Sequence, residues 1–433
     1  MNWMDTYRRK VVTAEQAAAT IQSGQRVFLT GNCSVPKKVL AALVARAPQL
    51  RNVEIAQVLT IGAADYVAPE MEGHLRVNTL FISDNVRQAV NEGRADFTPC
   101  FLSEIPDMFR NGHLPLDVAL IQVTPPDEHG FCSFGVEVGV TKTAAQSART
   151  VIAEVNANMP RTLGDAFIHF SKLDHIVPVD YPLPEIHMAD STERARRIAQ
   201  NIADLIPDGA TLQTGIGAIP DAVLRLLTNR KHLGVHTELF SDGVIDLVEQ
   251  GVIDGEMKTL HPGKIIAGFM LGTQRLYTFV NDNPIFELHP SEYVNDPFII
   301  AQNERMVAIN SAIEVDLTGQ VCSDSIGTRL YSGVGGQVDF IYGASRSKGG
   351  IPIIALPASA TIKGAAVSKI VPTLKLGAGV VTTRNHVHYV VTEYGSANLY
   401  GKNIRQRARA LIDIAAPEFR AELEQKAIEL NYY

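Results

Sequence analysis

Residues 211–220 read TLQTGIGAIP, and this stretch decides the fold class. An apolar run leads into a tight glycine turn, and a proline follows where a helix is expected to open. Residues 27–36 read VFLTGNCSVP and repeat that order. Apolar side chains follow the two prolines at the same spacings: Val39, Leu40 and Leu43 in one copy, and Val223, Leu224 and Leu227 in the other. The chain therefore predicts strand, glycine turn and helix twice over, which indicates an internal duplication.

Two further pairs of segments occur in the same order in both halves. In the first pair, residues 118–120, followed by Asp127 and Gly130, match residues 307–309, followed by Asp316 and Gly319. In the second pair, residues 176–178 match residues 370–372. Any single match of this length could arise by chance. Three matches in the same order favour a duplicated chain.

Runs of Val and Ile that alternate with helical patterns are typical of parallel sheets flanked by helices. The sequence therefore predicts an α/β protein with two related open α/β domains and mostly parallel sheets flanked by helices. The proline-containing stretch 179–184 is interpreted as the connector, and a helix is expected from about Thr192. We place the two domains at residues 1–188 and 189–433.

The composition is that of a soluble globular enzyme. The chain has 433 residues, of which 46% are hydrophobic and 20% charged, so more than one domain is expected. A net charge of −7 argues against nucleic acid as the main partner. No stretch approaches the roughly 20 apolar residues of a membrane helix, and the N-terminal residues do not read as a signal peptide. We expect a cytoplasmic protein.

The four cysteines favour a reducing compartment. Cys33, Cys100, Cys132 and Cys322 show no CxxC spacing, so we expect buried, reduced thiols and no zinc site.

Glu238 is the residue most suggestive of chemistry. It lies in residues 235–243 (VHTELFSDG), about 20 residues after the Gly215 turn, and only in the second copy. By rough alignment its counterpart in the first copy is near Gln57. A lone carboxylate in one half of a duplicated chain favours a covalent nucleophile over a paired acid and base. The alternative is a helix N-terminal acid favoured by the helix dipole.

The Gly215 turn has two ligand interpretations and one structural one. A Gly-x-Gly turn followed by an acid about 20 residues later resembles a dinucleotide site. Pro220 stands where the third glycine would be, which disfavours NAD. A glycine turn at a helix N-terminus binds phosphates in general, so the tail of coenzyme A (CoA) is preferred. The structural alternative is a turn that only connects strand to helix.

A carboxylate nucleophile needs N–H donors near the developing oxyanion. The glycine-rich loop at 332–340 (SGVGGQVDF) could supply them, although by itself it reads as a flexible connection.

Six further polar residues stay open between functional and structural roles. Gln213, Asn295 and Asn310 follow or interrupt predicted strands, and Lys363 could meet a CoA phosphate or be an ordinary exposed lysine. His386 and His388 have the spacing of one strand face, and solvent-facing rings are preferred over a metal site.

Together these stretches resemble the acetyl-CoA hydrolase/transferase family. The matching segments are 215–223 (GIGAIPDAV), 236–243, 333–340, 391–395 (VTEYG) and 125–130 (PPDEHG). The resemblance spans nearly the whole chain, and the length suits the branch of the 4-hydroxybutyrate and butyryl CoA-transferases.

The resemblance implies ping-pong transfer of CoA from a short-chain acyl-CoA to a carboxylate such as acetate, through a glutamyl-CoA thioester on Glu238. It also implies CoA contacts from one set of residues: Gly215, Ile216, Gly217, Ala218, Ile219, Ile313, Gly335 and Gly336. Coenzyme A is then a substrate, with no tightly bound cofactor and no metal. A homo-oligomer is expected for an enzyme of this size.

Two alternatives stay open at this point. Water could resolve the intermediate, which would make the protein a thioester hydrolase. The protein could instead bind acyl-CoA or a nucleotide without catalysis.

Overall fold

The computed structural model describes residues 3–187 and 191–432. Strands and helices alternate along both halves, as predicted. The strands of the first half are β1 (Arg26–Leu29), β2 (Val53–Gln57), β3 (Leu75–Thr79), β4 (Asp96–Phe97), β5 (Val118–Val123), β6 (Phe131–Ser133), β7 (Thr150–Asn156), β8 (Leu163–Gly164), β9 (Phe167–His169) and β10 (His175–Val179). Its helices are α1 (Trp3–Lys10), α2 (Ala14–Ala18), α3 (Lys37–Arg46), α4 (Asp84–Asn91), α5 (Ile105–Arg110) and α6 (Thr141–Ser147).

The second half continues the alternation. Its strands are β11 (Thr211–Gln213), β12 (Gly234–Phe240), β13 (Ile265–Met270), β14 (Phe286–Leu288), β15 (Met306–Ser311), β16 (Glu314–Asp316), β17 (Val321–Cys322), β18 (Ser325–Ile326), β19 (Arg329–Leu330), β20 (Ile351–Ala355), β21 (Ser359–Ile362), β22 (Ala365–Ser368), β23 (Ile370–Val371), β24 (Tyr389–Thr392) and β25 (Gly395–Asn398). Its helices are α7 (Glu193–Ala203), α8 (Ala218–Leu226), α9 (Gly243–Glu249), α10 (Gln274–Val280), α11 (Ser291–Val294), α12 (Pro297–Ile300), α13 (Gln337–Arg346), α14 (Ile404–Asp413) and α15 (Pro417–Glu429).

The chain forms two compact units. The first runs through Ile186 and also contains Ile266–Val294, and the second contains His187–Ile265 and the residues from Asn295 onward. The segment 266–294 groups with the first unit, where β14 pairs in parallel with β8. A division at 188/189 stays a prediction, because residues 188–190 lie outside the described ranges.

The first unit is built on a seven-stranded sheet of order β10-β7-β5-β1-β2-β3-β4, in which every pair is parallel. All six residues of β5 are buried, as expected for a strand covered on both faces. The second unit has the strand order β25-β24-β20-β15-β11-β12, parallel except for β25. Strands β7, β5, β1 and β2 thus correspond to β20, β15, β11 and β12, which confirms the predicted pair of related α/β domains.

The predicted match between the segments around Asp127 and Asp316 is confirmed, because both form the same turn. The N–H of Gly130 donates to the carbonyl of Asp127 at 3.0 Å, and the N–H of Gly319 donates to that of Asp316 at 2.9 Å. Both glycines have positive φ, 85° and 94°, a conformation that other residues rarely adopt.

The third predicted match between the halves, that of residues 176–178 with residues 370–372, is wrong. Residues 176–178 lie in β10, at the edge of the first sheet, whereas Ile370–Val371 forms β23 in a separate small sheet with β16 and β17. The strand in the position of β10 is β24. A short apolar segment with a proline suits any edge strand, so the pattern does not specify a partner.

The sheet register identifies the counterpart of Glu238. Val27 of β1 pairs with Val118 and Ile55, and Leu212 of β11 pairs with Val307 and Val235. If Val118 is aligned with Val307, as the match of segments 118–120 and 307–309 indicates, then Ile55 corresponds to Val235. Three residues further on, Val58 then corresponds to Glu238. The repeat of the glycine turn instead aligns Val27 with Thr211 and gives Leu59, so the two alignments place the counterpart one or two residues beyond the predicted Gln57.

Smaller predictions are mostly confirmed. Helix α7 begins at Glu193, and the side chain of Thr192 accepts a hydrogen bond from the N–H of Ala195. The four cysteines are free, but only three are buried, because Cys100 is half-buried beside the end of β3. No helix within the described ranges is both long and apolar enough to cross a membrane.

Candidate active site

Glu238 lies near the carboxyl end of β12, where ligands gather in open parallel sheets. Its neighbour Thr237 ties this strand to the glycine turn. The Thr237 hydroxyl donates to the carbonyl of Thr214 at 3.0 Å and accepts from the N–H of Thr214 at 3.3 Å. The strand that carries Glu238 and the turn that begins at Gly215 are therefore held together by the backbone of Thr214.

The carboxylate of Glu238 has two neighbours that stabilise negative charge. The Nδ2 amide of Asn295 donates to its Oε2 at 2.9 Å, and the backbone of Gly336 also hydrogen-bonds to the carboxylate. Gly336 is the N-cap of α13, where the helix dipole adds partial positive charge. A methyl group at Gly336 would overlap both Oε2 and Nδ2, so only glycine lets the loop approach this closely.

The electrostatic surroundings of Glu238 balance two opposing effects. The residue keeps part of its surface accessible, but its carboxyl end is surrounded by protein, and this burial raises its pKa to about 7. The hydrogen bonds from Asn295 and Gly336 act in the opposite direction. A carboxyl with a pKa near neutrality is a better nucleophile when ionised than a fully solvated one.

The glycine turn beside Glu238 is open. All five residues of 215–219 keep accessible surface, and a methyl group added at Gly215 or Gly217 would meet no atom within 4 Å. Gly217 has a φ of 120° and caps α8 with no side-chain hydrogen bond. Free N–H groups at the start of α8 are thus presented where an anionic group could bind.

Comparison with known proteins identifies the family of the chain. Residues 1–184 match the acetyl-CoA hydrolase/transferase N-terminal domain, and residues 272–427 match its C-terminal domain. A 4-hydroxybutyrate coenzyme A transferase from Clostridium kluyveri is 53% identical over 98% of both chains. The chain belongs to the acetyl-CoA hydrolase/transferase family.

Two solved structures superpose on the chain. The 4-hydroxybutyrate CoA-transferase from Porphyromonas gingivalis is 43% identical, with a TM-score of 0.86 over 99% of this chain and 100% of the other. RipA from Yersinia pestis is 35% identical, with a TM-score of 0.92 over all of both chains. The relatives from Clostridium kluyveri and Porphyromonas gingivalis are CoA-transferases, and this member of the acetyl-CoA hydrolase/transferase family is a CoA-transferase as well.

Several predicted residues of this CoA-transferase meet at the same sheet edge. Asn310, at the end of β15, donates through Nδ2 to Oε1 of Gln213 at 3.0 Å, at the end of the adjacent β11. Ile313 is half-buried just beyond β15, where its N–H donates to the carbonyl of Cys322 at 2.8 Å. Gly335 has a φ of 58°, which turns the loop into Gly336.

Lys363 and the two histidines have different surroundings. Lys363 is exposed at the tip of the hairpin formed by β21 and β22, with a φ of 50°. The placement of the histidines on a strand face is wrong, because both precede β24. Their rings are half-buried rather than solvent-facing: His386 packs at 5.1 Å from Tyr342, and His388 at 4.3 Å from Tyr400. Aromatic residues elsewhere in the sequence bury these rings, and the i,i+2 spacing of the two histidines does not reveal such contacts.

Asp221 is a buried carboxyl near the glycine turn that the sequence pattern did not single out. It follows the turn on α8, and burial raises its pKa to about 6. Neither carboxyl oxygen has a partner of full hydrogen-bond geometry, although Ser241 and the backbone of Gly217 lie near enough to lower the pKa. The aspartate in GIGAIPDAV is visible in the sequence, but its burial is not.

A possible cation cluster lies at the surface of the same unit. His232, Asp254 and Glu256 bring one ligand atom each within 4.8 Å of one another. Exposed acidic groups of this kind are common without a metal, and Glu238 is not among them.

Proposed function

We propose that this CoA-transferase moves CoA from a short-chain acyl-CoA to a small carboxylate such as acetate, with Glu238 as the covalent nucleophile. Donors of the 4-hydroxybutyryl, butyryl and acetyl type are proposed, because the relative from Clostridium kluyveri is named for 4-hydroxybutyrate. The observation that carries the proposal is the Glu238 carboxylate between Asn295 and Gly336, beside the open turn at 215–219.

The reaction balances without an added cofactor. A carboxylate oxygen of Glu238 attacks the thioester carbonyl, the C–S bond breaks, and CoA leaves as thiolate, so that the acyl group and Glu238 form a mixed anhydride. The thiolate attacks the glutamyl carbonyl, the first carboxylate leaves, and a glutamyl-CoA thioester forms. The acceptor carboxylate then repeats these steps in reverse and departs as its CoA ester. The thioester energy is conserved, so no ATP is consumed.

The two neighbours of Glu238 suit the charge that this sequence creates. In the ground state the Asn295 amide and the Gly336 N–H stabilise the carboxylate. When the thiolate adds to the glutamyl carbonyl, negative charge develops on the same oxygen atoms. The Asn295 amide and the Gly336 N–H at the N-terminus of α13 are already in place, so they stabilise that charge without reorganisation.

The open turn is proposed to bind CoA. Gly215, Ile216, Gly217, Ala218 and Ile219 would approach it through their backbone, because glycine allows a ligand to come close and the first N–H groups of α8 have no side-chain partner. Ile313, Gly335 and Gly336 would contact it from the neighbouring strand end and loop. Lys363, an exposed cation, is proposed to meet a phosphate of the tail.

The experiment that tests this function is a steady-state assay of CoA transfer. The expected result is a set of parallel double-reciprocal lines when acyl-CoA and acetate are varied, as a ping-pong mechanism requires. Release of free CoA at the same rate with and without acetate would instead identify a hydrolase. Acyl-CoA binding without turnover would identify a non-catalytic binding protein.

Removal of the Asn295 amide is expected to shift the pH dependence of the reaction. In the wild type, kcat/KM should rise with pH through about 7 as free Glu238 ionises. Asn295→Ala removes a donor that lowers this pKa, so the rise should move to higher pH and the plateau should fall by about tenfold or more. Asn310→Ala is the matched control, because this amide bonds to Gln213 instead. An unchanged profile in Asn295→Ala would contradict the role of the amide.

The raised pKa of Glu238 also predicts a stability change. Between the ordinary value of 4.5 and about 7 the folded protein binds more protons than the unfolded chain, so this carboxyl reduces stability as pH rises through that window. Glu238→Gln removes the ionisation. The variant should be more stable than wild type at pH 8 by about 3 kcal/mol and nearly equal to it at about pH 4.5.

Chemical denaturation of both proteins at the two pH values measures this difference. The exposed Glu256→Gln is the control and should show no comparable change. A Glu238→Gln variant that is less stable than wild type at pH 8 would contradict the buried, destabilised carboxylate.

A cytoplasmic location and a homo-oligomeric state stay predictions.

A further inference from the structure

Asp221 is a buried carboxyl group that the proposed reaction does not use. It is 5% exposed and lies on the first turn of α8, directly after the open turn at 215–219. Neither of its oxygens has a partner of full hydrogen-bond geometry, and burial raises its pKa to about 6. A buried carboxylate of this kind reduces stability, and proteins keep such groups mainly where function requires them. The neighbours of Asp221 indicate which function that is.

The two donors that act on the Asp221 carboxyl group belong to different segments. One is the N–H of Gly217 in the open turn, and the other is the hydroxyl of Ser241, three residues after Glu238; both lower the pKa of Asp221. Ser241 is 1% exposed, so bulk water does not compete for its hydroxyl. One carboxyl group therefore lies between the open turn and the segment that follows the nucleophile.

The start of α9 packs closely on this carboxyl group. A methyl group at Gly243 would lie 3.8 Å from Oδ1 of Asp221 and 2.9 Å from Cδ1 of Leu224. Two charged neighbours oppose each other: Arg225, one turn further along α8, lowers the pKa of Asp221, and Asp242, the N-cap of α9, raises it. Glycine at position 243 thus allows α8 and α9 to approach each other beside the carboxyl group.

A second contact joins the same two segments on the other side of the nucleophile. The Thr237 hydroxyl bonds to the N–H and the carbonyl of Thr214. Thr214 precedes the open turn and Asp221 follows it, whereas Thr237 precedes Glu238 and Ser241 follows it. The turn and the nucleophile are therefore enclosed by two links, Thr214 with Thr237 and Asp221 with Ser241.

We propose that Asp221 is a positioning residue, whose carboxylate holds Gly217 of the open turn against Ser241 and thereby fixes the distance between bound CoA and Glu238. The inference rests on the proposed function, in which the turn binds CoA and the strand carries the nucleophile. A link between turn and strand then places the attacking oxygen relative to the thioester carbonyl. A misplacement of about 1 Å is enough to reduce a rate roughly a hundredfold.

Asp221→Asn tests this role, because it keeps the size of the side chain and removes its charge. We expect kcat for CoA transfer to fall by about 10- to 100-fold, since a neutral amide holds the two donors less firmly than a carboxylate. The dissociation constant of CoA should stay within about threefold, because the N–H groups at the start of α8 remain. Initial rates and calorimetry with CoA measure the two quantities. An unchanged kcat would overturn the proposal, and so would a loss confined to CoA binding.

The stability of the same variant separates positioning from an ordinary helix-stabilising role. A first-turn acid that only favours the helix dipole stabilises the protein when ionised, so its removal lowers the melting temperature. For Asp221 the pKa is raised from 3.8 to about 6, so the ionised carboxyl reduces stability as pH rises through this window. The melting temperature of Asp221→Asn relative to wild type should therefore rise by about 3 °C from pH 5 to pH 8. A relative melting temperature that falls over this range would overturn the proposal.

The matched control is Asp246→Asn. Asp246 is also a first-turn aspartate, on the neighbouring α9, but it is exposed. This variant should keep the activity of wild type and show no comparable change of melting temperature with pH. An equal loss of activity in Asp246→Asn and Asp221→Asn would overturn the specific role of Asp221.

Ser241→Ala removes the other partner of the link. The double variant Asp221→Asn, Ser241→Ala should lose no more activity than the more damaging of the two single variants, because both remove one interaction. Additive losses would overturn the link between these residues. Wild-type protein that transfers no CoA would overturn the proposed function together with this role, whereas an active wild type with a fully active Asp221→Asn would overturn the role of Asp221 alone.

Discussion

Replacement of Glu238 by alanine is expected to abolish CoA transfer, with kcat/KM reduced by roughly 10⁴-fold or more. The carboxylate is the group that forms the covalent bond in the proposed mechanism, and neither Asn295 nor Gly336 can replace it. CoA binding should persist, because the turn at 215–219 is held through Thr214 and Thr237 rather than through Glu238. Initial rates and calorimetric CoA binding, measured on the same preparation, separate these two effects.

The matched control for this substitution is Glu256→Ala. Glu256 is an exposed acid of the same unit, near His232, and its removal should leave the transfer rate unchanged. Substantial transfer by Glu238→Ala would contradict the assignment of the nucleophile. A loss of CoA binding equal to the loss of activity would show that Glu238 acts in binding instead.

Gly336→Ala is expected to reduce kcat by about 10²- to 10³-fold, the range seen when one oxyanion donor is lost. The added methyl group would overlap Oε2 of Glu238 and Nδ2 of Asn295. Either the loop or the carboxylate must move, and in both cases the N–H at the start of α13 loses its alignment. Initial rates across pH measure the effect, and the apparent pKa should rise as the Gly336 hydrogen bond weakens.

Val334→Ala tests whether any change in the loop would have the same effect. Val334 is half-buried in the same segment, and its truncation adds no atom near the carboxylate. This variant should keep most of the activity. Gly336→Ala activity close to that of Val334→Ala would contradict the close approach of loop and nucleophile.

Much of the fold could be predicted because the duplication left matching signals in both halves. The turns at Asp127 and Asp316 were recoverable because each depends on local chemistry, an aspartate and a glycine with positive φ. The match of Ile176 with Ile370 failed because an apolar edge strand is specified by its distant partners. The grouping of 266–294 with the first unit has the same origin, since β14 pairs with β8 far away in sequence.

The main residues of the candidate site could be predicted from the sequence, but the contacts between them could not. The Gly215 turn and Glu238 could be named because the turn follows β11 and Glu238 lies near the carboxyl end of β12, at one edge of a parallel sheet. The role of Asn295 stayed open, since it lies 57 positions beyond Glu238 in the sequence and approaches it only when the chain folds back.

Mass spectrometry of the intermediate shows directly whether Glu238 becomes covalently bound. The protein is incubated with butyryl-CoA or acetyl-CoA, treated with borohydride and digested. The peptide with Glu238 is expected to be recovered with its carboxyl reduced to an alcohol, and only when acyl-CoA was present. An unmodified Glu238 peptide from protein that demonstrably turns over acyl-CoA would contradict a glutamyl-CoA thioester at this residue.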